Sequence, residues 1–286
     1  MPDNGRDHCE ADLSRFRGAG AFGGAYEFML EHDAHAPGSV DCELTRGMIR
    51  LCPETVGYLY GPFTPLHAPY IRGTRQKLES VLSGLARKGG GTENILTSIV
   101  EFTRRLGDRA EQDLQKMRIG GTEEEIIERG SDWCTDVARV ACVLCQIAGF
   151  PCRIANLFDL HRAYSGHVIV EAHRAGSWGA LDSSTGVVYL KAGGQPASVW
   201  DLMNDAELVR THGSDPRAFY TTVDQFRAAG LANYFSWEQG RYQYPVSGLN
   251  DYYVSILEMS NKGWPGGLRW LHGEDKKAAT STLVGP

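Results

Sequence analysis

Along the middle of the chain the apolar residues recur first at helical spacing and then at every second position. Ile95, Ile99, Phe102 and Leu106 mark one face of a helix that Thr92 would cap and Gly107 would stop. Thr122 and Glu125 have the spacing of a capping box and open a short helix that Gly130 ends. A longer helix is predicted from Ser131-Asp132 onward. Its stripe is Val137, Ala138, Ala141, Leu144, Cys145 and Ala148, and Gly149 with Pro151 stops it. The period then changes to two. CRIANLF, GHVIVEA, SWGALD and VVYL read as short strands separated by turn residues. Before residue 90 the pattern is irregular, with one helix at Ala25–Glu31. After Ser198 it is mixed, and Gly273–Pro286 reads as a frayed tail. Helices, one central helix and then an antiparallel meander predict an α+β domain. The expected organisation is an N-terminal elaboration over 1–90 and a core over 91–200. An aromatic-rich elaboration of the same domain follows over 201–272, and a flexible tail over 273–286.

Composition narrows the function. Of 286 residues 42% are hydrophobic, enough for a substantial core without a metal or disulfide staple. Lys and Arg number 29 against 35 Asp and Glu, a formal net charge of −6, which argues against a nucleic-acid partner. No apolar run approaches the ~20 residues that cross a bilayer, so no membrane partner is expected. The first twenty residues hold no apolar segment of the secretory kind, and the seven cysteines are odd in number and scattered. Free thiols in a reducing cytoplasm are the expectation.

One cysteine is placed for chemistry. Cys134 falls in the first turn of the predicted central helix, where unpaired N–H groups and the helix dipole favour a thiolate. Asp132 and Asp136 oppose this, since nearby carboxylates disfavour a second negative charge. A nucleophile here therefore calls for an imidazole partner. His167 opens the strand GHVIVEA, and the next strand, SWGALD, ends in Asp182. A two-residue loop at Arg174-Ala175 would pair His173 with Gly176 and set His167 directly opposite Asp182 on one sheet face. A carboxylate so placed fixes the tautomer and orientation of an imidazole. A three-residue loop would shift the register by one and turn the two apart.

Cys134 at a helix start, then GFPCRIAN, then HVIVEA followed by Trp178 and Asp182, resembles the transglutaminase-like (papain-like) cysteine superfamily over roughly Gly121–Leu190. The resemblance implies a papain-like core with a central helix packed on an antiparallel sheet. It implies Cys134 as nucleophile, His167 as general base and acid, and Asp182 as the orienting carboxylate. It further implies acyl transfer through a thioester, from a small-molecule or peptide acyl donor to an amine or water. The family usually has Gly two residues before the cysteine, where this chain has Asp132. The backbone N–H of Cys134 is the expected oxyanion donor, with the second donor open. Transfer forming or exchanging an amide, hydrolysis by a peptidase or amidase, and an inactive binding scaffold of the same fold all remain. An arylamine N-acetyltransferase-type role ranks low, because R-G-G-x-C is absent. No cofactor and no metal are called for, since thiolate, imidazole and backbone donors suffice.

Other signals carry less. Gly18-x-Gly20-x-x-Gly23 follows DLSRFR rather than a strand, so a dinucleotide site is not expected. Cys142, Cys145 and Cys152 lack a fourth ligand and read as core thiols. His161 and His173 are weaker candidates for the base. Ten aromatics over Phe219–Tyr253 read mainly as packing, but Trp133, Asn250, Tyr252 and Tyr253 are candidate substrate contacts. The acidic run Glu123–Glu125 reads as charge at a helix N-terminus and nothing more.

Overall fold

The computed structural model describes residues 13–17, 21, 44, 46–61, 70–88, 94–113, 116–158, 166–212, 228–235 and 243–245. In chain order the strands are β1 (Ile49–Leu51), β2 (Arg118–Gly120), β3 (Cys152–Phe158), β4 (Gly166–Arg174), β5 (Ser177–Asp182), β6 (Val187–Val188), β7 (Ala228–Ala232) and β8 (Gln243–Pro245). The helices are α1 (Pro53–Leu59), α2 (Gln76–Lys88), α3 (Ile95–Arg104), α4 (Glu123–Arg129), α5 (Cys134–Ile147), α6 (Val199–Asn204) and α7 (Ala206–His212). The chain is thus α+β. Six strands form one antiparallel sheet in the order β1-β7-β3-β4-β5-β6, and β2 pairs with β8 separately.

Strand alternation sorts the core into two layers. Ile154, Val170, Ala172 and Leu181 join Val140, Val143 and Leu144 of α5 and Ile99 of α3 on one side. Ala155, Leu157, Ile169 and Ala180 pack with Leu59 of α1, Val199 and Leu202 of α6 and Val209 of α7 on the other. Both sheet faces are covered, so even the polar side chains Arg153, His167 and Glu171 of the middle strands are buried.

Several expectations change. The region before residue 90 is not irregular where it is described: it holds β1, α1 and α2. Helix α3 has Asn94 rather than Thr92 as its N-cap, and Leu106 lies just past its end. Helix α5 begins at Cys134 with Trp133 as N-cap, not at Ser131-Asp132. VVYL supplies only the two-residue β6, with Leu190 bridging to Pro196. The expected helix at Ala25–Glu31, the three glycines of the Gly18–Gly23 segment and His161 lie outside the described residues, as do Asn250, Tyr252, Tyr253 and the tail.

The register of the β4–β5 hairpin also differs from expectation. The turn is Ala175-Gly176, pairing Arg174 with Ser177 and Val170 with Leu181. Both turn residues have positive φ, 49° at Ala175 and 79° at Gly176, as the twist-matched two-residue hairpin turn requires. The displacement is two residues, so His167 and Asp182 are diagonal neighbours rather than opposite ones and still share a face. A left-handed Ala costs about 1–2 kcal/mol, whereas Asn tolerates this region. Ala175→Asn should therefore raise stability by about 0.5–1 kcal/mol, read as a higher urea midpoint. A lower midpoint would contradict the turn geometry.

Candidate active site

Cys134 is the first residue of α5, half-buried, and no side chain caps the helix at Trp133. The first N–H groups of α5, beginning with that of Cys134, consequently face outward from the helix end. The approach to this position is rigidly built. Gly130 has φ of 79°, and a Cβ there would lie 2.7 Å from the Arg109 carbonyl carbon, so only glycine fits. Ser131 Oγ accepts from the Trp133 N–H (3.2 Å) and donates to Asp136 Oδ2 (3.0 Å). Asp136 also accepts from the Gly120 N–H (3.0 Å) and from Arg129 Nη2 (2.6 Å), with Arg139 Nη1 at 3.5 Å. The charge expected to oppose a thiolate is thus met on the spot by two guanidinium groups. Asp132 reaches solvent, yet its wall is close enough for desolvation to raise its carboxyl above the ordinary value.

His167 Nε2 lies 3.0 Å from Asp182 Oδ2, with both side chains buried. Asp182 is itself held: its Oδ1 accepts from the backbone N–H groups of Ser184 (2.9 Å) and Thr185 (3.2 Å). Burial works to lower the His167 pKa, but the Asp182 charge, its hydrogen bond and the nearby Cys134 side chain push it up to about 10. The imidazole is bonded to the carboxylate, and Cys134 is near enough to influence its charge.

The structure joins His167 to Asp182 and places Cys134 near enough to His167 to influence its charge. Trp133 adjoins the thiol, and its buried indole Nε1 has no hydrogen-bond partner among the described residues. His173 sits near the hairpin turn, six residues along β4, edge-on to the Trp178 ring at 5.3 Å. Cys142, Cys145 and Cys152 are fully buried core thiols. Burial chiefly raises the thiols of Cys142 and Cys152, and a hydrogen bond to Cys152 chiefly raises that of Cys145.

Two buried ionic clusters escaped the sequence reading. Glu123 is not merely helix N-terminal charge. Fully buried, it accepts from Arg75 Nη2 (2.8 Å), Arg139 Nη2 (3.1 Å) and the Tyr234 hydroxyl (2.5 Å), while Glu124 pairs with Arg75 and only Glu125 closes the capping box. On the sheet, Arg153 and Glu171 are direct cross-strand partners, with Nε 2.8 Å from Oε2. The Arg153 guanidinium stacks against Trp178 (4.0 Å) and Tyr60 (4.7 Å). Glu171 Oε1 accepts from the Tyr60 hydroxyl and the Val199 N–H, both at 2.7 Å. The basic and acidic residues at matched positions of adjacent strands were the available signal.

Comparison with protein-family models, curated proteins and solved structures finds no match to this chain. Among the described residues no helix is long and apolar enough to cross a membrane.

Proposed function

We propose that the chain is a cysteine-dependent acyl-transfer enzyme with a transglutaminase-like, papain-like core, working through a thioester on Cys134. The observation that carries this is one buried imidazole, His167, bonded to the Asp182 carboxylate at 3.0 Å and close to Cys134 at a helix N-terminus. An imidazolium held by a buried carboxylate supplies the positive charge a thiolate needs.

The thiolate attacks an amide carbonyl, and the oxyanion lies against the Cys134 backbone N–H. His167 gives its proton to the departing amine as the carbon–nitrogen bond breaks, leaving the thioester. An incoming amine or water then attacks the thioester, His167 takes its proton, and sulfur leaves as thiolate. An amine acceptor makes the net reaction transfer; water makes it hydrolysis.

The test is iodoacetamide labelling at about pH 6–7, mapped by peptide mass spectrometry. Cys134 should react faster than Cys52, which is also half-buried, by on the order of ten-fold or more. Cys142, Cys145 and Cys152 should stay unlabelled, and His167→Ala should remove the advantage. Equal rates at Cys134 and Cys52, or a rate at Cys134 indifferent to His167, would rule the mechanism out.

A further inference from the structure

Asp136 ties the loop that delivers Cys134 to the rest of the fold. Strand β2 runs into Gly120 and Gly121, both at positive φ (82° and 85°), and this pair turns its backbone groups toward the start of α5. The Gly120 N–H donates to Asp136 Oδ1 at 3.0 Å. Two guanidinium groups then each clasp the carboxylate together with a glycine carbonyl. Arg129 Nη2 donates to Asp136 Oδ2 (2.6 Å) and to the Gly120 carbonyl (2.8 Å). Arg139 has Nη1 3.5 Å from Asp136 Oδ1, and its Nη2 donates to the Gly121 carbonyl. Asp136 is buried, so these bonds fix its place.

From this anchor a relay runs to the residue before the thiol. Asp136 is the third residue of α5, a position from which a carboxylate commonly reaches back to the N-cap N–H directly. Here it reaches the Trp133 N–H through Ser131, whose Oγ donates to Asp136 Oδ2 (3.0 Å) and accepts from Trp133 (3.2 Å). The Ser131 N–H in turn donates to the Leu106 carbonyl at 3.2 Å. The entry to α5 is thus held firmly, yet no side chain caps the N–H groups of its first turn. A serine or aspartate at the N-cap would accept from those groups and compete for them with a thiolate.

We propose that Asp136 is a positioning residue: through Ser131 and the Trp133 N–H it holds Cys134 where the helix N–H groups and the nearby His167 favour the thiolate. This role rests on the acyl-transfer reading, which makes that thiol the nucleophile. Side chains two apart on a helix do not face each other, so Asp136 acts through the backbone. Positioning and bare charge predict opposite signs. Removing the carboxylate leaves Arg129 unpaired with it and Arg139 with Glu123 alone, which by charge would lower the thiol pKa. Letting Cys134 drift from its partners raises it.

The pH profile of iodoacetamide labelling at Cys134 tests this in the full chain, for wild type, Asp136→Asn, Ser131→Ala and the double variant, with urea midpoints alongside. An amide at 136 must turn its NH2 toward either Ser131 or Gly120, so it cannot serve both. Asp136→Asn should slow labelling at about pH 6 by on the order of ten-fold and raise the apparent pKa of the thiol by about one pH unit. Ser131→Ala should shift both in the same direction, and the double variant should label no more slowly than Asp136→Asn, because the two residues form one relay. Faster labelling with a lowered pKa in Asp136→Asn overturns the proposal in favour of direct charge. An unchanged profile with a lower urea midpoint overturns it in favour of a merely structural role. If Asp136→Asn does not fold, Ser131→Ala decides alone by the same criteria. Wild-type labelling that depends on His167 but ignores Ser131 and Asp136 sinks this proposal only. Wild-type labelling at Cys134 no faster than at Cys52 sinks the acyl-transfer reading and this role with it.

Discussion

Asp182→Asn should leave the β4–β5 hairpin folded and lower turnover by on the order of 10³–10⁴. The amide can still meet His167 Nε2 and the two backbone N–H groups near it, but it cannot hold the imidazolium. In the wild type that carboxylate outweighs burial and pushes the imidazole up to about 10 from 6.5. The same shift ties stability to pH. A group whose folded pKa is raised stabilises the fold fully below its unfolded value, and the contribution disappears as pH climbs through the folded value. Stability contributed by the His167–Asp182 pair should therefore be intact below about pH 6.5 and gone by about pH 10. In Asp182→Asn that decline should be absent. Two measurements suffice: the pH profile of Cys134 labelling and urea midpoints between pH 6 and 10. Wild-type behaviour of Asp182→Asn in both would show that the carboxylate neither orients nor charges the imidazole.

Glu171→Ala should cost about 3–5 kcal/mol, a large share of the about 5–15 kcal/mol typical of a folded domain. The substitution strands the buried Arg153 charge between Tyr60 and Trp178. It also removes the acceptor for the Tyr60 hydroxyl and the Val199 N–H. Burial, and then the Glu171 charge, holds the Tyr60 phenol well above its ordinary pKa, so it remains a donor at any physiological pH. Urea denaturation reads the loss directly. A change under 1 kcal/mol would mean that water or a repacked neighbour replaces Glu171 at no cost.

The elements legible in the sequence were those whose local chemistry and tertiary setting agree. The Thr122–Glu125 capping box appears where its spacing puts it, and CRIANLF and SWGALD become β3 and β5 without adjustment. Strand β7 was not legible because AAGLA has no β-branched or aromatic residue. It becomes a strand by filling the place between β1 and β3, where small side chains pack on both faces. Helix α2 was readable in principle, since Leu78, Val81, Leu82 and Leu85 follow helical spacing; the Gly and Pro residues around it obscured the pattern.

Part of the candidate site was legible too. His167 and Asp182 were paired by hairpin arithmetic, and the pairing survived a wrong turn because the displacement was two residues. The better choice of turn lay in Gly176, the residue most at ease with positive φ, which belongs inside the loop. The neutralisation of Asp136 could not be seen in advance, since Arg139 is an (i, i+3) neighbour but Arg129 and Gly120 reach it through the path of the preceding loop.

The strand order gives synthesis of this protein a definite sequence of events. The β3–β6 meander, which carries His167 and Asp182, can pair as it leaves the ribosome, because its connections are short. The sheet's other side cannot. Strand β1 has β7 as its neighbour, and β7 lies some 180 residues later, between β1 and β3. Until residues 228–232 emerge, the Ile154–Phe158 edge of β3 presents an unpaired row of backbone groups and β1 has no sheet to join. A ribosome paused before residue 228 therefore holds a chain whose candidate active-site strands are assembled but whose open edge can recruit another nascent chain.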